Sequence, residues 1–488
     1  MIKKKKFRLI DAVLATVCLI LVVEAAAPSA AIGNSQYFWW IILLAAFFLP
    51  YGLVSAELGT AYRDEGGLFD WVKRAFGRKW GGRVAWYYWI NYAFWVASLA
   101  VLFTEIIDQA FGTEIPVVLA VVIQLAFIWI ISLLSLFSVS ENKTLINIGT
   151  VFKVLLMGSL GVLGVYWAVT RGVANPVEGF GDFLPGLLGI SFIPIILFNF
   201  MGFEVVATFS GEMEKPKKQI PSALLMGGIC IAAFYLFASF GIGAAIPVDH
   251  LIDAETSISY GFLESFMYFF EGMNWPVQVL IGIIAIIFLY TLVVNLLSWA
   301  LGINYVASYA ADNNAMPAIF GKRWKRNGAP LGSAVMNGIV ASVLVIAAPF
   351  IPNQDIFWGF FALQIITLLM SYMLMFPAFK KLRRIDPDAE RPYRAPGGPF
   401  MVNLMTYIPL ILLILAAVFC MVYPDYEGGW IFDEMLIIGT ACAIMAGELV
   451  AHLMNKKALR VEASAGKAEE ESQDNPEEAP DENSEEGS

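Results

Sequence analysis

The chain has 488 residues, of which 59% are hydrophobic and only 15% charged, where an average soluble protein carries about 25% charge. With a mean hydropathy of +0.69 and a pI near 4.9, the composition argues against a water-soluble enzyme and against a nucleic-acid binder. The net charge of −10 belongs to one end: residues 461–488 hold eleven acids against the single base Lys467, so residues 1–460 are neutral.

Apolar stretches of about 20 residues read as membrane helices, because the hydrocarbon core is about 30 Å thick. Twelve follow one another, at 10–32, 37–58, 84–111, 115–138, 145–169, 187–211, 222–246, 277–308, 332–351, 355–379, 403–423 and 431–454. The first opens a polytopic array and lacks a small-residue cleavage site, so it is not read as a signal peptide. Basic residues favour cytoplasmic loops. They gather in residues 1–9, after the second span (Arg63 to Arg83), after the sixth (Lys215 to Lys218), after the eighth (Lys322 to Arg326) and after the tenth (Lys380 to Arg394). The intervening loops carry one base, Arg171, and several acids. This alternation predicts both termini in the cytoplasm of a cell, with a prokaryotic membrane as the expected setting. The acidic tail, 461–488, has almost no apolar residues to offset the entropy of ordering and is expected to be disordered.

Within the spans, charge is costly, at about 2.5–3.5 kcal/mol at mid-bilayer, and tends to mark function. Glu24, Lys153 and Glu204 lie well inside, while Glu57, Glu105 and Glu448 lie nearer span ends and read as structural. Glu24 opens the segment Glu24-Ala25-Ala26-Ala27-Pro28-Ser29, where proline removes a helix hydrogen bond. Span 6 offers a second break at Phe198-Asn199-Phe200-Met201-Gly202-Phe203-Glu204. Broken helices at membrane depth are tolerated only where they line a protected cavity. Two breaks five spans apart are the mark of inverted five-helix repeats, here 10–169 and 187–379, with 403–454 appended. Half-helix N-termini suit a carboxylate, and half-helix C-termini and acids suit an ammonium. The aromatics Trp86, Tyr87, Tyr88, Trp89, Trp95, Phe198, Phe203, Tyr290 and Trp299 read mostly as lipid-facing or interfacial anchors, a few as gates.

Cys18, Cys230, Cys420 and Cys442 sit in apolar runs, and His250 and His452 are the only histidines, so neither disulfides, a metal site nor a cofactor is expected. There is no phosphate-binding loop of the GxxxxGK[ST] kind.

Four segments carry a resemblance. They are Ala56-Glu57-Leu58-Gly59-Thr60-Ala61-Tyr62 with Glu65-Gly66-Gly67 to Val72, Gly202-Phe203-Glu204 running to Gly211-Glu212 and Pro216 to Pro221, Ala311-Asp312 to Met316-Pro317, and Arg391-Pro392-Tyr393-Arg394-Ala395-Pro396-Gly397. Together, in this order, they resemble the amino acid–polyamine–organocation (APC) superfamily. The resemblance implies an all-α membrane protein with a LeuT-type five-plus-five inverted repeat, and transport of amino acids or their amine products by exchange or with protons. By position, it places substrate against Glu24, Ala25, Ala26, Ser29, Phe198, Asn199, Gly202, Phe203, Glu204 and Trp299. Phe198 and Trp299 would be gating aromatics, and Lys153 would stand where sodium-driven relatives bind a cation. Lys153 and Glu24 are then the candidates for coupling. One departure concerns the first break, which in many relatives is glycine-rich and here carries Glu24. The glutamate:GABA antiporter branch is similar at this point, yet an acid there also suits an amine.

The leading reading is a secondary transporter of amino acids, an exchanger or proton-coupled permease, in a lipid bilayer and without nucleic-acid partners. The alternative is a polyamine or other cationic amine carrier. A channel would need a filter loop or charged rings, and a membrane enzyme would need a nucleophile, base or metal cluster, none of which is evident.

Overall fold

The computed structural model describes residues 8–64, 66–184, 186, 188–205, 215–248, 251, 261–271, 276–351, 356–424 and 429–474. Among these, ten helices are long and apolar enough to cross a membrane. The two predicted spans that fall short, 10–32 and 187–211, appear as shorter apolar helices beside interruptions. The helices that position the site are α1 (Leu9–Ile20), α2 (Ala26–Ala30), α3 (Gly33–Ala61), α4 (Gly67–Phe76), α5 (Arg78–Phe111), α6 (Val117–Leu134), α7 (Val139–Arg171) and α8 (Ile193–Phe198). They continue as α9 (Pro216–Ala245), α10 (Gly261–Phe270), α11 (Val277–Asp312), α12 (Leu331–Ala347), α13 (Ile356–Tyr372), α14 (Met375–Ile385), α15 (Pro399–Met421) and α16 (Glu434–Asp474).

Helix α5 forms the centre. It packs against α13, α11, α12 and α16, and Tyr88, Asn91, Trp95 and Ser98 along it are all buried. On the periphery, α6, α15 and α16 keep Val118, Ile130, Ile411 and Ile438 exposed. Such faces are a liability in water and suit lipid. Without a hydrophobic drive between helices in lipid, close approach depends on small residues. Gly164 of α7 meets Gly241 of α9 so closely that a Cβ on Gly164 would lie 2.2 Å from the Gly241 Cα.

The structure corrects four expectations. The all-helical reading misses a hairpin, β1 (Val422–Pro424) and β2 (Trp430–Phe432), antiparallel with Tyr423 opposite Ile431. Its β-branched and aromatic residues suit a strand pair better than a helix end. Next, the first break lies at 21–25, upstream of Pro28, which instead sits in the opening turn of α2, where its missing N–H costs nothing. The predicted interfacial aromatics are mostly interior: Tyr87, Tyr88, Trp89, Trp95, Phe198, Phe203 and Trp299 are buried. Finally, α16 runs on through Asp474, past the expected start of the tail at 461. Its Ala and Glu content favours the helical state. Residues 475–488 lie outside the described residues, as do 1–7 of the basic N-terminus and 206–214 within the predicted sixth span and its following motif.

Candidate functional site

Leu21 N–H makes the last helical bond of α1, to Val17 O at 2.9 Å, and the break leaves the carbonyls of Cys18, Leu19 and Ile20 without helical partners, as at any helix end. Each finds one. The Lys153 ammonium, on α7, donates to Cys18 O and, at 2.7 Å, to Asn295 Oδ1 on α11. The Trp299 indole N–H donates to Leu19 O at 2.8 Å. The Tyr235 hydroxyl, on α9, lies 3.1 Å from Ile20 O and accepts from Val22 N–H at 2.8 Å. Side chains from three helices thus close the open end of α1, and the Lys153 charge sits where the helix dipole favours a cation. Tyr235 escapes sequence reasoning: its only signal is a lone tyrosine in an apolar run.

Glu24 follows, within the break. It is 5% exposed, and its Oε1 has no hydrogen-bond partner among the described residues. Buried polar atoms are nearly always paired, so an unpaired carboxylate oxygen is an exception with a cause. Ala25 and Ala26 beside it are fully buried. Asn199 Nδ2 reaches Ala25 O at 3.4 Å and so joins the two breaks. Ser29 is in α2, but its side chain lies outside the described residues.

The second break runs from Asn199 to Glu204. Gly202 adopts φ +112, and a Cβ there would lie 2.7 Å from both Trp299 and Leu19, so glycine is required twice over. Glu204 is buried and accepts three phenols: Tyr51 of α3, Tyr88 of α5 at 2.6 Å, and Tyr372 of α13. The Tyr51 oxygen in turn accepts Gly202 N–H and Phe203 N–H, both at 3.0 Å. Glu204 is therefore a satisfied hub, unlike Glu24. Phe203 packs on Phe48, with ring centroids 5.1 Å apart.

A second aromatic cluster lies at the end of α8. Phe198 meets Trp95 at 5.6 Å and Phe361 of α13 at 5.4 Å, and Trp95 meets Trp299 at 5.3 Å. Next to it a cavity of about 400 Å³ is lined by Pro28, Pro194, Ile195, Trp358, Phe361 and Asp433, among others.

A sequence profile described as amino acid permease matches residues 7–441, most of the chain. The chain belongs to the amino acid permease family, within the APC superfamily. The permease is 46% identical over 464 residues, 94% of this chain and 97% of the relative, to a Lactococcus lactis (strain IL1403) protein named "Probable agmatine/putrescine antiporter". A glutamate/gamma-aminobutyrate antiporter of the same strain is 22% identical over 392 residues, 78% of this chain and 76% of its own. An Arabidopsis thaliana protein named "Probable polyamine transporter" is 25% identical over 372 residues, 75% of this chain and 69% of its own. The permease is a membrane transporter.

Two of the acids near span ends, Glu57 and Glu448, are paired with arginines. Glu57, at the end of α3, is 1% exposed; Arg383 Nε of α14 donates to its Oε1 at 2.8 Å and Arg383 Nη2 to its Oε2 at 2.5 Å. Ala395 N–H donates to Glu57 Oε2 at 2.7 Å, and Arg391 Nε lies 3.3 Å from Oε1. Arg83 clasps Glu448 at 2.5 and 2.8 Å. Asp70 of α4 accepts from Arg74 at 2.5 Å, yet burial pushes its carboxyl above the usual range.

Proposed function

We propose that the permease is an antiporter for cationic amines of the agmatine and putrescine kind, working by alternating access. The observation that carries this reading is the buried Glu24 carboxylate with an unpartnered oxygen in the first helix break. A buried acid with one oxygen free in a low-dielectric site invites an ammonium or guanidinium, which supplies both charge and donors. The relative that matches nearly end to end carries that substrate pair in its printed name.

In this scheme the amine lies between the breaks, with Glu24, Ala25, Ala26, Ser29, Phe198, Asn199, Gly202, Phe203 and Trp299 around it. Phe198, Trp95 and Phe361 form one closure. Glu204 with Tyr51, Tyr88 and Tyr372 forms the other, so Glu204 acts as a gate hub rather than a second amine ligand. The chain would fold as two inverted repeats, 10–169 and 187–379, with 403–454 appended and both termini in the cytoplasm. The α1/α2 and α8 units would rock against a scaffold built on α5, α6, α11 and α12. Lys153 and Glu24 are the coupling candidates: the ammonium fixes the end of α1, and the acid changes partner as substrate enters and leaves. Exchange follows if α1 moves only when Glu24 is neutralised by an amine.

The second reading, exchange of amino acids, is favoured by the glutamate/gamma-aminobutyrate relative. A thermal-shift series on purified protein separates the two, since a ligand of the folded state raises its apparent stability. Putrescine and agmatine are expected to stabilise, and glutamate and GABA are not. Stabilisation by the amino acids alone would replace the amine reading.

A further inference from the structure

The scheme above leaves the cavity beside the Phe198 cluster unused. At about 400 Å³ it is the size of a small-molecule site. Its walls are apolar and aromatic, with Trp358 and Phe361 of α13, Phe419 of α15 and Tyr423 of β1 among them, and Asp433 is the one charged residue that lines it. No lysine or arginine stands between Arg8 and Arg63, Arg171 and Lys215, Arg326 and Lys380, or Arg394 and Lys456. Every residue lining the cavity falls in one of these four stretches, so no base of its own segments neutralises the acid.

The carboxylate is held in a fixed direction. Asp433 N–H donates to Met421 O at 2.9 Å across the base of the hairpin, and Asp433 Oδ1 accepts Leu436 N–H at 2.9 Å, which caps α16. The second oxygen, Oδ2, makes no hydrogen bond and no ion pair among the described residues. The walls come from two parts of the fold. Pro28 lies in α2, and Pro194 and Ile195 lie in α8, whereas Trp358, Phe361 and Phe419 lie in α13 and α15. From this wall Phe361 also reaches Phe198, at 5.4 Å.

We propose that this cavity is a regulatory site, separate from the break at Glu24, for a lipophilic monocation of the arylalkyl-ammonium class. The ammonium donates to Asp433 Oδ2, a charge-assisted bond, and the aromatic walls cover the apolar body and favour the cation. Diamines of the putrescine kind are rejected here, because their second charge would meet only apolar walls and lose its hydration without a partner. A bound molecule touches α2 and α8 on one side and α13 and α15 on the other. It therefore holds α8 against α13 and slows exchange without displacing an amine at Glu24. The effect on exchange rests on the alternating-access reading above, whereas the binding itself does not.

The test is calorimetric titration of the full-length protein with 2-phenylethylamine, with putrescine as the reference. Asp433→Asn keeps the cap of α16, since asparagine caps as well as aspartate. It should weaken phenylethylamine by about tenfold or more and leave putrescine at its wild-type affinity. Should Asp433→Asn not fold, Ala362→Leu, which fills the cavity from α13, should give the same split. In proteoliposomes phenylethylamine should lower the maximal rate of putrescine exchange without raising the half-saturating concentration. Phenylethylamine that does not bind wild type, binds Asp433→Asn equally well or competes with putrescine overturns the site, as does equal weakening of both amines. Binding that leaves exchange unchanged overturns the regulatory role. If putrescine does not bind wild type while phenylethylamine binding still depends on Asp433, the amine-transport reading falls and the cavity site stands, which separates the two failures.

Discussion

The Lys153 ammonium donates to the main-chain oxygen of Cys18 and, at 2.7 Å, to Asn295 Oδ1, so a charge on α7 closes the open end of α1 and ties it to α11. Two buried acceptors lose their donor when the lysine is removed, at about 1–3 kcal/mol each, partly offset by no longer burying a charge. Lys153→Ala is expected to melt lower yet fold, and to lose exchange in proteoliposomes. Wild-type exchange rates in that variant would sink the coupling role.

Glu24 is the opposite case. Its Oε1 has no hydrogen-bond partner to lose among the described residues, so Glu24→Gln should melt at the wild-type temperature or above it. Amine binding should weaken by about 10- to 150-fold, the worth of a charge-assisted hydrogen bond. Calorimetric titration with putrescine reads the second effect. Retained affinity would move the amine elsewhere.

The three tyrosines on Glu204 are not equivalent. Tyr51 donates to the carboxylate and accepts two backbone N–H groups of the break, whereas Tyr88 only donates to the carboxylate. Tyr51→Phe is expected to cost about 2–5 kcal/mol and Tyr88→Phe about 1–3 kcal/mol. Melting temperatures in the reverse order would show that Gly202 and Phe203 do not depend on Tyr51.

Glu57 and Arg383 form a buried, two-pronged pair. Removing one partner strands a buried charge, at about 3–5 kcal/mol, while removing both is far cheaper. Arg383→Met should therefore be markedly less stable than the double variant Glu57→Gln with Arg383→Met. Additive losses would contradict a coupled pair.

Tyr62, just beyond α3, has its phenol pushed up from the ordinary 10 to about 12, by burial first and then by its hydrogen bond to Asp386. A raised pKa means the folded state holds the proton more tightly. The stabilisation is complete below pH about 10 and is lost as pH climbs through about 12. In alkaline melts wild type should lose its margin over Tyr62→Phe across that window. A constant margin would remove Tyr62 from the account.

Several residues of the candidate site were conspicuous in the chain. Glu24, Lys153 and Glu204 stood out because charge is rare in apolar runs, and Gly202 because a helix break needs an open backbone. The exact place of the first break was not: Pro28 suits a helix's opening turn as well as its end, and only the capping of Ile20 and Val22 by Tyr235 shows which applies. The reading of the aromatics as interfacial failed for a related reason. Hydropathy ranks a tryptophan without saying whether lipid or another helix covers it, and Trp95 is covered by Phe198 and Trp299.

The order of residues alone marks a polytopic membrane protein, places its two interruptions to within a turn and carries the motifs of its superfamily. These depend on local hydropathy, local backbone preference and short motifs. Which buried charges are already satisfied depends instead on contacts between distant segments. Lys153 meets Cys18 from 135 residues away, and Glu204 meets Tyr372 from 168 away. Glu24, in the same apolar setting, keeps one oxygen without a hydrogen-bond partner among the described residues. That difference comes from hydrogen-bond geometry between distant segments, on which composition and periodicity carry no information.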